Sequence, residues 1–427
     1  MKFIYKQTSQ VEEGTIQEQI RVMENYVAQC RRIAEEQNYE ASEASLCLVD
    51  DLEMLKKINE LIAKKTTPRL KYIIDIGIGG SNLGTKAVYE AQYGERDNLR
   101  FDNLPKILFL DTTDPEYIDL LSRFIKKNIL SSDEFLVNII SKSGGTTETA
   151  VNGEIIIALF KQKFENWKER FVVTTDKHST LWDNAIALGI DALEIPKKVG
   201  GRYSVFSAVG LFPLGLCGID IQSLLKGALI ARDEGLKTST QNSALISAII
   251  LNEHLKKGVA INDNFYFHSE LESLGKWYRQ LMGESTGKGG QGLTPTVSMG
   301  SVDLHSVVQL YLGGPKNKIT SFVYTDTFKK YSIPTTNTLT HIKEIEGKEV
   351  GSIMGAIQKG TIKAYSNVRL PLTETILEGI SLPEIGAYMQ FKMMEIMFLG
   401  QLMSVNAFDQ PQVELYKIET KKILAEK

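Results

Sequence analysis

The sequence predicts an α/β protein built as two tandem three-layer α/β/α sandwiches with mainly parallel sheets, carrying helical segments at both ends. Three observations predict it. At 427 residues the chain exceeds one ordinary hydrophobic core, so two domains are expected. Between residues 71 and 196 the short β-branched runs KYIIDIGIG, KILFLD, FLVNIIS, RFVVTTD and LEIP alternate with amphipathic stretches. Those runs lack polar alternation, which marks strands covered on both faces and hence a parallel sheet.

Taken in order, residues 16–58 place apolar side chains at three- and four-residue spacing among charges, a helical pattern. Helices between the strand runs are expected to start near Asn82, Asp114, Thr147 and Thr180. After Gly200 the rhythm resumes less regularly, with strands expected at VAINDNFYF, TVSMGS, ITSFVYTD and IKAYSNVRL. From Leu377 onward the pattern is almost wholly helical. The most apolar stretch, VFSAVGLFPLGLCGI from Val205, is too short to span a bilayer and contains Pro213, so it reads as a core helix. The expected division puts residues 46–205 in a first, smaller domain. Residues 1–45 and 206–427 then form a second, larger one on which the terminal helical segments pack. No repeat is visible at the residue level, and no low-complexity linker separates the halves.

Composition narrows the function. With 43% hydrophobic and 24% charged residues the chain can bury a large interior. A net charge of −3 leaves no electrostatic footprint for nucleic acid or an anionic membrane, although a few local donors still suffice for a phosphate. Cys30, Cys47 and Cys217 are scattered, which argues against a disulfide framework or zinc ribbon and fits a reducing cytosol. The opening MKFIYKQTSQVEEGTIQEQI turns acidic and polar before any long apolar run, unlike a signal peptide. A cytoplasmic protein is expected.

Three glycine-bearing stretches follow or precede predicted elements. IGIGGSNLG (76–84) leaves a strand at a helix start; it matches a dinucleotide fingerprint at Gly77 and Gly79 but meets Asn82 in the third place. That makes a nicotinamide-dependent oxidoreductase a poor alternative. ISKSGGTTET (140–149) offers the hydroxyls of Ser141, Ser143, Thr146 and Thr147 at a helix N-terminus. Free N–H groups, hydroxyls and the positive helix end suit a terminal phosphate monoester. VGGRYS (199–204) brings Arg202 to the start of the apolar helix, expected near Tyr203. A cation at that helix end makes sense where an anion or a developing negative charge sits.

The stretch GESTGKGGQG (283–292) looks at first like a P-loop, but Met282 and Gly289 fail two of the pattern's defining positions. Its acid is the more telling residue. SELESLGKWYRQLMGES reads as a helix capped by Ser269 and stopped near Gly283, with Gln280 and Glu284 four apart on one face. A carboxylate at a helix C-terminus feels the negative dipole end, which strengthens it as a proton acceptor. His305 is expected in the first turn of a helix capped by Asp303, where the dipole favours neutral imidazole. In FDQPQVELYKIETKKIL, Pro411 suits a first helical turn, and Lys417 falls in a stripe with Val413, Thr420 and Leu424. Such a lysine either snorkels or points into a site.

Together these stretches resemble the phosphoglucose isomerase family, from about Ile73 to Lys417 and in the family's order. VGGRYSVFSAVG and NAFDQPQVELYK match the two most specific signatures, and IGIGGSNLG, ISKSGGTTET and GESTGK add three more. Gln412 stands where the family usually has glycine. The resemblance implies two domains of the sugar-isomerase type, the first binding sugar phosphate. It implies interconversion of glucose 6-phosphate and fructose 6-phosphate in glycolysis and gluconeogenesis, with no metal or organic cofactor. By position, Glu284 looks like the base that carries a proton between carbons 1 and 2. Arg202 looks like the enediolate stabiliser, and His305 and Lys417 like the ring-opening pair. Ser141, Lys142, Ser143 and Thr146 match the phosphate-binding stretch; Gly80, Ser81, Gln280 and Gln410 match further ligand contacts. A homodimer is implied, with His305 reaching the neighbouring subunit's site. The alternative, a non-catalytic sugar-phosphate sensor of the same fold, gives no reason for Glu284, Arg202, His305 and Lys417 to occur together.

Overall fold

In the computed structural model, which describes residues 1–94, 96–101, 104–336 and 342–426, ten strands form two five-stranded sheets. The strands are β1 (Lys2–Ile4), β2 (Tyr72–Ile76), β3 (Lys106–Leu110), β4 (Phe135–Ile140), β5 (Phe171–Thr175), β6 (Asp191–Glu194), β7 (Ile261–Tyr266), β8 (Thr294–Met299), β9 (Lys318–Thr325) and β10 (Leu372–Leu377). The first sheet has the order β3-β2-β4-β5-β6 and is parallel throughout. All residues of β4 and β5 are buried, which is why their sequences run apolar without alternation. The intervening helices Leu83–Tyr93, Pro115–Asn128, Thr147–Lys163 and Thr180–Leu188 start where the sequence places them. Asp114 and Ser179 cap two of them by accepting the N–H groups of Glu116 and Trp182.

The second sheet runs β1-β10-β9-β7-β8, parallel except for the antiparallel edge strand β1. Its topology echoes the first. In each sheet the founding strand (β2 or β7) has the next strand on one flank and the strand after that on the other. The winding direction therefore reverses beside β2 and beside β7, and such switch points open a crevice at the strands' C-terminal ends. The repeat absent from the residues is present in the topology. Helix Leu382–Leu402 is buried along most of its length and packs on helices Ile221–Gly235 and Ser243–Lys256. None of the helices among the described residues is long and apolar enough to cross a membrane.

Several local expectations need correction. Of IKAYSNVRL, the first six residues end helix Val350–Asn367 and the last three form the turn after it, and the strand is the following LTETIL of β10. Gln358, Thr361 and Tyr365 are the buried positions there, and that spacing is a helix period hidden under β-branched and aromatic residue types. The edge strand β1 is only three residues long and carries no readable alternation. Residues 16–58 are helical in pieces, Glu13–Val22, Glu24–Glu35 and Leu52–Lys65 with a 3-10 stretch Ala44–Asp50. The apolar helix is Ala208–Leu216, because Gly201–Tyr203 forms a separate short turn before it. Ser269 begins a 3-10 turn rather than capping the next helix, and that helix, Glu272–Thr286, runs past Gly283.

Candidate active site

Ile76 pairs with Ile139, so the loops leaving β2 and β4 lie side by side at the first switch point. These are the 77–82 and 141–146 segments. Gly79 has φ +60, and a Cβ on Gly80 would fall 2.1 Å from the carbonyl carbon of Gly201. Only glycine lets the 79–81 turn lie directly on the backbone that precedes Arg202. Ser204 Oγ donates to Gly80 O at 3.3 Å and to Gly201 O at 2.7 Å, tying the two segments together. Arg202 is thereby fixed over the strand ends of the first sheet.

The buried Arg202 guanidinium spends its donors on two other elements. Nε donates to Ser285 Oγ at 2.7 Å, and Nη1 donates to Glu284 Oε2 at 3.1 Å and to Gln410 Oε1 at 2.8 Å. Nη2 donates to the carbonyls of Ala407 at 2.7 Å and Asp409 at 3.0 Å. Glu284 sits in the last turn of helix Glu272–Thr286, and Gln280 one turn earlier donates Nε2 to its Oε1 at 3.0 Å. Both carboxylate oxygens are therefore oriented, while the side chain stays 29% exposed. A fixed carboxylate beside a fixed cation at an accessible surface can take a proton from a carbon acid and hold the charge that develops.

Beside this pair lies the phosphate-type stretch. Thr146 is the N-cap residue of helix Thr147–Lys163; Ser141 Oγ donates to its Oγ1 at 3.1 Å, and Ser143 Oγ accepts the Gly145 N–H at 3.3 Å. Lys142 Nζ donates to Val199 O at 2.9 Å, which joins this loop to the segment carrying Arg202. Burial pushes the Lys142 ammonium below its ordinary range; Asp176 opposes the shift, and Arg202 and Lys198 reinforce it. Cations crowded in this way favour an incoming anion.

The structure thus brings Gly80, Gln280, Glu284, Arg202 and Gln410 into one contact network, with Lys142 bonded to the same segment and Ser81 in the half-buried turn above it. His305 and Lys417 stand apart from it within this chain. His305 is exposed at the end of a 3-10 turn, Val302–His305, and helix Val308–Gly313 begins only after it. Asp303 is inside that turn rather than its cap, accepting the Met299 N–H at 2.7 Å and the Ser306 hydroxyl at 2.7 Å. Helix Val413–Ala425 has no fully buried residue; of the expected stripe Val413 and Lys417 are half-buried, while Thr420 and Leu424 are exposed. Lys417 pairs with Glu414 at 2.8 Å. Pro411 precedes that helix, whose N-cap is Gln412. Gln412 has φ −68 and ψ −23, an ordinary right-handed conformation, so nothing in this turn requires glycine.

Sequence reasoning missed Ser285, the carbonyls of 407 and 409, and the use of Lys288. The lysine of GESTGKGGQG points back onto the carbonyls of Ser285 at 2.9 Å and Glu284 at 3.2 Å. It also donates to the carbonyl of Asn406 and, at 2.9 Å, to that of Asp409. A lysine just past a helix C-terminus, where unpaired carbonyls collect, was the available signal.

Two mainly parallel sheets, with switch loops set against an arginine segment and an acid–guanidinium pair, mark an α/β protein of the sugar-isomerase fold. The chain belongs to the phosphoglucose isomerase family, whose model, Phosphoglucose isomerase, matches residues 17–308. It is 35% identical over 386 residues to a glucose-6-phosphate isomerase of Thermus thermophilus, covering 88% of this chain and 89% of that one. It is 35% identical to the Methanocaldococcus jannaschii glucose-6-phosphate isomerase, with 82% of each covered. Among solved structures, a hypothetical protein from Thermus thermophilus superposes with a TM-score of 0.86 at 31% identity, covering 99% of both chains. A Chlamydia trachomatis glucose-6-phosphate isomerase shares the fold with a TM-score of 0.73 at 21% identity, over 87% of this chain and 73% of that one.

Proposed function

We propose that this chain interconverts glucose 6-phosphate and fructose 6-phosphate at the crevice between the 77–82, 141–146 and 200–204 segments and helix Glu272–Thr286. The observation that carries the reading is the Glu284–Arg202 pair at 3.1 Å, held beside a loop built for a phosphate. The family membership and the named relatives support it over a binding-only sensor.

The phosphate docks on Ser141, Lys142, Ser143 and Thr146 at the positive end of helix Thr147–Lys163, remote from the reacting carbons. That binding energy holds the open-chain sugar in place. The Glu284 carboxylate takes the proton from carbon 2 of the aldose; the C2–H electron pair becomes the C1–C2 double bond as oxygen 1 gains charge. Arg202 stabilises that enediolate, a contribution of roughly 3–4 kcal/mol for one such group. A proton passes between the oxygens, and the protonated carboxyl of Glu284 returns its proton to carbon 1, giving the ketose. A positioned base of this kind is worth about a hundred- to ten-thousandfold in rate.

Ring opening falls to His305 and Lys417, with His305 supplied by a second copy in a homodimer. Support comes from the exposure of His305 and from apolar residues left open around both groups. Val302 and Leu310 flank His305, and Leu415, Tyr416 and Ile418 flank Lys417. The enzyme works in the cytoplasm, in glycolysis and gluconeogenesis, without a metal or organic cofactor. A coupled assay from fructose 6-phosphate, run without added metal and with a chelator, should show turnover; a folded protein with no turnover contradicts the assignment.

A further inference from the structure

Lys288 lies at the meeting of the two segments that hold the reacting groups. Its side chain is 11% exposed and reaches both ways from just beyond helix Glu272–Thr286. On one side it covers the carbonyls of Glu284 and Ser285, which the helix end leaves without intrahelical partners. On the other it donates to the carbonyls of Asn406 and Asp409 and pairs with Asp409 Oδ1 at 3.1 Å. Burial lowers the Lys288 ammonium below its ordinary range; Asp409 opposes the shift and Arg202 reinforces it.

The 406–410 segment supplies three of Arg202's partners, Ala407 O, Asp409 O and Gln410 Oε1. One of them, Asp409 O, accepts from Arg202 at 3.0 Å and from Lys288 at 2.9 Å. Within the segment, Asn406 Nδ2 donates to Asp409 Oδ2 at 2.8 Å and Asn406 Oδ1 accepts the Phe408 N–H at 3.0 Å; from outside it, the Tyr203 hydroxyl donates to Ala407 O at 3.4 Å and lies 3.3 Å from Ser285 Oγ. With Tyr203, which reaches Ala407 O, Lys288 therefore fastens the segment carrying the guanidinium's acceptors to the helix that carries Glu284, and of the two it is Lys288 that holds Asp409 O.

We propose that Lys288 is a positioning residue for the isomerisation, setting the Arg202 guanidinium against the Glu284 carboxylate by bridging the helix end to the 406–410 segment. It touches neither substrate nor the reacting atoms. Its amine is taken up by backbone carbonyls and the Asp409 carboxylate, so it acts through the distance between the two groups. The proposal rests on the assigned role of Arg202, and the test separates the two.

The test is a double-mutant cycle in the coupled assay with fructose 6-phosphate. Lys288→Met should lower kcat about 100-fold, the scale of an ångström's misplacement, while KM changes less than about threefold because the phosphate loop is untouched. In an Arg202→Ala background the same substitution should cost less than about threefold, since the group it positions is gone. Asp409→Asn, which leaves both carbonyl contacts, should cost less than about threefold, as expected for a half-exposed ion pair. Lys288→Gln runs the same cycle if the methionine variant does not fold. An equal kcat loss in both backgrounds, or wild-type kcat in Lys288→Met, overturns the positioning role. Wild-type turnover in Arg202→Ala alone would instead remove the role of Arg202.

Discussion

Replacing Arg202 by alanine is the perturbation whose size the structure sets best. The side chain is buried and meets five acceptors, of which one is the Glu284 carboxylate and four are the framework around it. Two effects follow and can be told apart. Loss of the cation facing the enediolate removes roughly 3–4 kcal/mol of transition-state stabilisation, which is about 200- to 1,000-fold in kcat. The stranded framework acceptors lower stability by about 1–3 kcal/mol for each one that water cannot reach. Steady-state coupled kinetics with fructose 6-phosphate read the first, and thermal unfolding of the same preparation reads the second. Sugar phosphate should still bind, because residues 141–146 and Gln280 remain. A variant whose KM rises while kcat stays at the wild-type level would refute the reasoning, since it would make Arg202 a ground-state binding group.

Other consequences are open to measurement. Ser143→Ala removes the hydroxyl that shapes the phosphate loop, and KM should rise roughly fivefold to tenfold with kcat nearly unchanged, the worth of one hydrogen bond. An inactive Glu284→Gln protein mixed with an inactive His305→Ala protein, allowed to exchange subunits, should recover about one quarter of wild-type turnover, because half the dimers are mixed and each has one intact site. No recovery after verified exchange contradicts a shared site. Asp75 is buried in β2, accepts from Asn138 Nδ2 at 2.9 Å, and has its carboxyl pushed up to about 8 by burial. The folded chain then keeps a proton that the unfolded chain loses near the ordinary value of 3.8. That contribution is complete at low pH and is lost as pH rises through the folded value. The stability of Asp75→Asn relative to wild type should therefore grow from about pH 4 to about pH 8. A difference constant over that window rules the buried acid out.

What was readable in the sequence follows the physics of burial. The first sheet is legible because β4 and β5 are buried on both faces, and the glycine-bearing exits of β2 and β4 advertise the switch point. Glu284 and Gln280 are legible as a helical pair four residues apart. The strand at LTETIL was hidden by the β-rich composition of the helix before it, and β1 by its length. The grip on Arg202 was hidden for a different reason. Ala407 and Asp409 act through backbone carbonyls, which every residue carries, and no side-chain pattern records them. The meaning of GESTGKGGQG is likewise positional: its lysine serves carbonyls of the protein, and its acid pairs with Arg202.

The central claim is that Glu284 carries the proton between carbons 1 and 2, and isotope exchange at carbon 2 tests it most directly. Glucose 6-phosphate deuterated at carbon 2, incubated in ordinary water with Glu284→Gln, should keep its label while the sugar phosphate still binds with an affinity near that of the wild type. Wash-out of the label at the wild-type rate by the folded variant would contradict the account.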